Sequence, residues 1–131
     1  EIKNILSKYN SIAMIGVSKD LKKTSTVVMK YMQDYGFKVY PVNPSAKGEK
    51  ILGEEVYAKI TDINKNVDIV DVFRPSEEVY GIAEDAVKIG AKVLWLQLDI
   101  SDENAKKLVE ENNMEYIENK CTKIEYQKYF L

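Results

Sequence analysis

The chain of 131 residues contains no histidine. That absence removes imidazole acid–base catalysis, nucleophile–histidine pairs, phosphohistidine chemistry and the commonest metal ligand in one step. A single cysteine, Cys121, excludes an internal disulfide, leaves zinc without a ligand set and fits a reducing compartment. No apolar run approaches the ~18 residues needed to cross a bilayer. Nothing near the start reads as a signal peptide either, so the cytoplasm is the expected location and no membrane partner is expected. Lysine and arginine number 19 against 21 aspartates and glutamates, a net charge of −2 with no long basic stripe, so nucleic acid is not an expected partner. The partner left by these exclusions is a small molecule.

What is present is the composition of an ordinary globular protein, 45% apolar and 31% charged. At this length a single domain spanning residues 1–131 is expected, burying about two thirds of its unfolded surface. The most informative stretch is Ser11-Ile12-Ala13-Met14-Ile15-Gly16-Val17-Ser18, followed by a loop from Lys19 to Lys23 and by Thr24-Ser25-Thr26. Apolar and β-branched residues read as a buried strand, glycine marks the turn, and hydroxyl residues open a helix. A helix start of this kind offers unpaired backbone N–H groups and the positive end of a dipole, which together attract phosphate. Lys19, Lys22 and Lys23 against Asp20 make the loop locally basic, a net +2 on an acidic chain.

The rest of the chain alternates strands and helices. A short opening helix carries Ile2, Ile5, Leu6 and Tyr9. After the first strand, residues 25–35 form a helix with Val27, Val28, Tyr31, Met32 and Tyr35 as its apolar stripe and Gly36 as its stop. Residues 37–42 are the second strand, ended by Asn43-Pro44. Residues 45–66 read as irregular, with one brief strand. Residues 67–73 are a strand, and Arg74-Pro75-Ser76-Glu77-Glu78 starts a helix that Ser76 caps. That helix turns Val79, Ile82, Ala83, Ala86 and Ile89 inward and stops at Gly90. Residues 92–98 are a strand with Trp95 in the core. Ser101 opens a helix with Ala105, Leu108 and Val109 on one face, residues 114–118 form the last strand, and Thr122-Lys123-Ile124-Glu125 has the form of a capping box.

This alternation predicts an α/β fold, a doubly wound parallel sheet of about five main strands in the order 2-1-3-4-5 with helices on both faces. Ligands of such sheets bind at the carboxyl ends of the strands, where the crossovers diverge. Gly16 to Lys19, Asn43-Pro44, Phe73-Arg74-Pro75-Ser76 and Gln97 are therefore expected to converge on one crevice. A dinucleotide site is disfavoured, because Gly16 is the only glycine of its turn and no carboxylate ends the second strand. A receiver-type phosphoacceptor is disfavoured as well, because Asp68 and Asp71 lie within their strand.

Gly16-Val17-Ser18, Ser25, Val42-Asn43-Pro44, Leu52-Gly53, Val67 through Ser76, Trp95-Leu96-Gln97 and Cys121 through Glu125 occur in order along nearly the whole chain. Together they resemble the stand-alone CoA-binding domain family, related to the CoA-binding half of succinyl-CoA synthetase and of ADP-forming acyl-CoA synthetases. The resemblance implies a Rossmann-like fold that binds coenzyme A. Gly16, Val17, Ser18, Lys19 and Ser25 would hold phosphates, and Val42, Asn43, Pro44, Phe73, Arg74 and Pro75 would line the nucleotide and pantetheine path. Arg74 suits a phosphate as a planar fork, and the loop lysines suit the 3′-phosphate as point charges. Two departures stand out: Asp99 occupies a position where glycine is more usual, and the histidine through which the larger synthetases pass phosphate is missing.

The expected protein binds coenzyme A or an acyl-CoA and has no catalytic activity of its own. An NAD(P)-binding enzyme or redox sensor and an interaction domain that has lost its ligand stand as alternatives. Plainer roles exist for the singled-out residues: Arg74 pairing with Glu77, Gln97 satisfying backbone groups, Cys121 buried and inert. The nine tyrosines suit an interface as well as a core, so the oligomeric state stays open.

Overall fold

A computed structural model describes residues 1–131. Its helices are α1 (Ile2–Lys8), α2 (Thr24–Asp34), α3 (Val79–Lys88), α4 (Glu103–Glu111) and α5 (Thr122–Phe130). Its strands are β1 (Ser11–Ile15), β2 (Lys38–Val42), β3 (Lys50–Ile51), β4 (Glu54–Glu55), β5 (Ile69–Val72), β6 (Val93–Leu96) and β7 (Glu115–Ile117). Five strands pair in parallel in the order β2-β1-β5-β6-β7, which is the expected 2-1-3-4-5. Every residue of β1, β5 and β6 is buried, as strands covered on both faces must be, which explains why they are apolar nearly throughout, Asp71 of β5 excepted.

The alternation of side chains along each strand divides the core in two. Ile12, Met14, Ile69, Val93 and Trp95 point to one side, where α1, α2 and α5 cover them. Ala13, Ile15, Val70, Val72, Leu94 and Leu96 point to the other, against Val79, Ala83 and Ala86 of α3 and Ala105 and Val109 of α4. Small alanines on α3 and α4 let these helices approach the sheet closely. Trp95 lies in the core as expected, its indole N–H donating to the Lys120 carbonyl at 2.8 Å.

The inward stripe of α2 differs from the one expected. Val28, Met29 and Met32 face the sheet with Ser25 and Thr26, whereas Val27 and Tyr35 stand out in solvent. The helix is apolar on more than one side, so periodicity alone does not choose its rotation. The hydrogen bonds of Ser25 and Thr26 to Ser18 choose it.

Three helix starts are also built differently. Ser76 begins a single 3-10 turn and accepts from the Ser101 N–H instead of capping α3. Asp102, not Ser101, caps α4 by accepting from the Ala105 N–H at 2.8 Å. No capping box forms at α5, because the Thr122 hydroxyl is drawn into the core. Residues 45–66 contain two brief strands where one was expected: β3 and β4 form an antiparallel hairpin closed by Leu52 and Gly53, both with positive φ as a two-residue hairpin turn requires.

Met29 is fully buried at the centre of the α2 contact. Met29→Ala is expected to lower the stability by about 2–5 kcal/mol in urea unfolding.

Candidate functional site

At the carboxyl end of β1 the chain turns at Gly16 with φ +93°, a conformation open to glycine. A Cβ there would stand 2.7 Å from the Phe73 carbonyl oxygen and 3.0 Å from Cδ of Arg74. Gly16 therefore lets β1 and the end of β5 meet. The Ser18 N–H donates to the Ser25 hydroxyl at 3.1 Å, and the Thr26 hydroxyl donates to the Ser18 carbonyl at 2.6 Å, which pins the turn to the start of α2. Ser18 Oγ and the Asp20 carboxylate accept from the loop amides of Asp20 and Lys22. From β2, the Asn43 amide donates to the Val17 carbonyl at 2.8 Å while its oxygen accepts from the Ser45 N–H. The first turn of α2 has no side-chain cap, so its N–H groups are free for an anion.

Beside this turn lies a cavity of about 510 Å³ on the α3 side of the sheet edge. Of the expected site residues, Gly16, Ser18, Val42, Asn43, Pro44 and Arg74 line it. Val17 is wholly buried, and Ser25 serves the Ser18 turn from within. Lys19 lies on the exposed loop with its ammonium 3.4 Å from Glu49. Phe73 and Pro75 flank Arg74 without lining the cavity.

Gln97 departs from expectation. It is buried away from the cavity, and its amide donates to Asp71 and to the Thr122 hydroxyl. The physical reason is the alternation along β6, which turns position 97 to the same side as Trp95 and towards α5.

Arg74 donates from Nε and Nη2 to the two carboxylate oxygens of Glu78, at 3.0 and 2.7 Å. Its partner is thus Glu78, one helical turn on, and not Glu77. This forked contact raises the Arg74 pKa and holds Glu78 below the usual carboxylate range. Both side chains remain nearly half exposed, so an entering phosphate can take over the fork.

Part of the cavity was not legible in advance. Ala58, Lys59 and Ile60 belong to a stretch with no periodic signal, brought in by the parallel bridge between Val42 and Tyr57. Glu78, Ile82 and Asp85 also line it. Their spacing of four and three residues places them on one helical face, and that signal was available.

Asp71 on β5 is fully buried and accepts from Gln97 and from the Thr122 hydroxyl at 3.1 Å, tying β5, the end of β6 and α5 together. Burial pushes its pKa from 3.8 up to about 7, against the opposing pull of those hydrogen bonds. Asp99, where glycine was the more usual residue, adopts φ +68° and donates its N–H to the Asn119 side chain at 2.8 Å. Aspartate tolerates that left-handed conformation better than most residues do. Cys121 is buried at the start of α5.

A family model described as a CoA binding domain matches residues 10–127. The chain belongs to the CoA-binding domain family. It is 36% identical to the uncharacterised protein YneT of Bacillus subtilis over 95% of this chain and 90% of that one. It is 34% identical to an ADP-forming acetate-CoA ligase of Methanocaldococcus jannaschii, over 66% of this chain but 12% of the ligase. Among solved structures, a hypothetical protein from Pyrococcus horikoshii superposes with a TM-score of 0.94 at 32% identity, covering 99% of this chain and 90% of that one. The Pyrococcus protein shares the Rossmann-like α/β fold of this chain. In this CoA-binding domain the cavity lies between the Gly16 turn, the end of β2 and Arg74.

The Asp71 carboxyl makes stability depend on pH. Below 3.8 the folded and unfolded chains both hold its proton; between 3.8 and about 7 the folded chain alone keeps it, so stability falls as pH rises across that window. Asp71→Asn keeps the size and one acceptor. It is expected to flatten this part of the profile of thermal unfolding against pH and to be the more stable protein at pH 8.

Proposed function

We propose that this chain binds coenzyme A, free or acylated, across the carboxyl edge of its sheet, and that it has no catalytic activity of its own, acting as a carrier, sensor or accessory module. The observation that carries the reading is the cavity at the turn of Gly16, bounded by Arg74 and by the end of β2. The uncapped start of α2 and the Arg74 fork supply groups for a pyrophosphate, and Lys19, Lys22 and Lys23 supply point charges for a 3′-phosphate. Membership of a CoA-binding family supports the same ligand.

Against NAD, the side chain at the end of β2 is Asn43, and both of its polar ends are used inside the protein. No carboxylate from that strand reaches a ribose diol. For the absence of catalysis, the support is that no histidine exists and that the one strongly shifted carboxyl, Asp71, lies buried among Gln97 and Thr122.

Calorimetric titration with coenzyme A, 3′-dephospho-CoA and NAD tests the reading. Coenzyme A is expected to bind, dephospho-CoA more weakly, and NAD not measurably. At about 100 times its dissociation constant, coenzyme A stabilises the fold by roughly 2.7 kcal/mol in thermal unfolding. Arg74→Ala is expected to weaken binding about tenfold or more, whereas Glu78→Gln releases the fork and strengthens binding. No heat with coenzyme A, or tighter binding of NAD, overturns the ligand. Turnover of an acyl-CoA by the pure protein overturns the second half of the statement.

A further inference from the structure

Six of the eight large apolar side chains left exposed belong to α2, α5 and their flanks: Leu21, Val27, Tyr35, Ile124, Tyr129 and Leu131. The two helices touch through Tyr31, Tyr35 and Tyr126, with ring centroids 5.0 Å apart for Tyr35 and Tyr126. Between them runs a shallow groove of about 290 Å³ whose walls include Leu21, Val27, Tyr31, Leu52 and the charged Lys30 and Asp34. This concentration of apolar surface is unlike the rest of the exterior, where Tyr80 and Leu98 stand apart.

The outer stripe of α2 is Val27, Lys30, Tyr31, Asp34 and Tyr35, with spacings of three and four that place all five on one side of the helix. It is self-complementary. Val27 and Tyr35 lie four residues either side of Tyr31, and Lys30 and Asp34, 3.1 Å apart within the chain, carry one charge of each sign. We propose that this face of α2 is the contact of a homodimer, in which α2 crosses its counterpart antiparallel about a twofold axis near Tyr31.

A twofold axis passing between positions 31 and 32 sets Val27 near the partner's Tyr35 and brings the long Lys30 side chain within reach of the partner's Asp34, with each contact made twice, as an isologous interface requires. The apolar residues form the centre and the ion pairs the rim. A strongly acidic or basic partner would match one charge of the stripe and oppose the other, whereas a second copy matches both. The cavity opens on the α3 side, across the sheet from this face, and only the Lys19–Lys23 loop and the first turn of α2 lie near both.

Sedimentation velocity of the full chain from micromolar to submillimolar concentration, without any ligand, tests the proposal apart from coenzyme binding. The protein is expected to dimerise. K30E and D34K each place like charges across the axis twice and are expected to weaken the dimer about tenfold, while V27E abolishes it. The double variant K30E/D34K reverses both signs and is expected to restore dimerisation close to that of the unaltered chain. All three positions are exposed, so circular dichroism should report an unchanged fold in each variant. A monomer at every concentration overturns the proposal, as does a dimer indifferent to V27E and to the charge reversals.

Discussion

The close approach of Gly16 to the Phe73 carbonyl is the constraint on which the rest of the site depends. The chain runs from β1 to β2 by way of α2 and then returns from β2 past β1 to β5 by way of the 45–66 stretch. The crevice between them exists because the chain can turn back at Gly16 with positive φ and no side chain. Ser25 and Thr26 of α2 and Asn43 at the end of β2 then hold the turn at Val17 and Ser18 through hydrogen bonds, so the amides at the start of α2 are held in place before any ligand arrives. A loop held this way loses little entropy on binding an anion.

Beneath the other side of the sheet edge, the buried network of Asp71, Gln97 and Thr122 plays the corresponding part for α5. Parallel strands β5 and β6 are joined only at a distance along the chain, and α5 follows both. A buried carboxyl with two side-chain donors on separate elements specifies where α5 docks, at the cost of a carboxyl whose proton leaves near neutrality. Gln97 thus ties the architecture of the sheet edge together.

Arg74 connects site and helix in a different way. Its fork is already satisfied by Glu78, so the cavity presents a paired cation and not a bare one. Arg74 and Lys59 stand against Glu78 and Asp85 around the cavity, with Ile15, Ile60 and Ile82 as its apolar wall.

Local chemistry determined much of this protein from the amino-acid order alone. Apolar runs such as Ile12 to Ile15 and Ile69 to Val72, ended by glycine or followed by a helix start, specify the parallel sheet and its order, because strands covered on both faces and joined by helices have few ways to pack. The same residues located the turn at Gly16, the end of β2 and Arg74. Tertiary packing decided the rest. α2 is apolar on more than one side, so its rotation waited on Ser25 and Thr26 finding Ser18; Gln97 turned inward because its strand alternates; Ala58 to Ile60 reached the cavity through a bridge that no periodicity announces. Periodicity reports which faces of an element are apolar, but only contacts between distant parts of the chain choose which of those faces is covered and which stays in water.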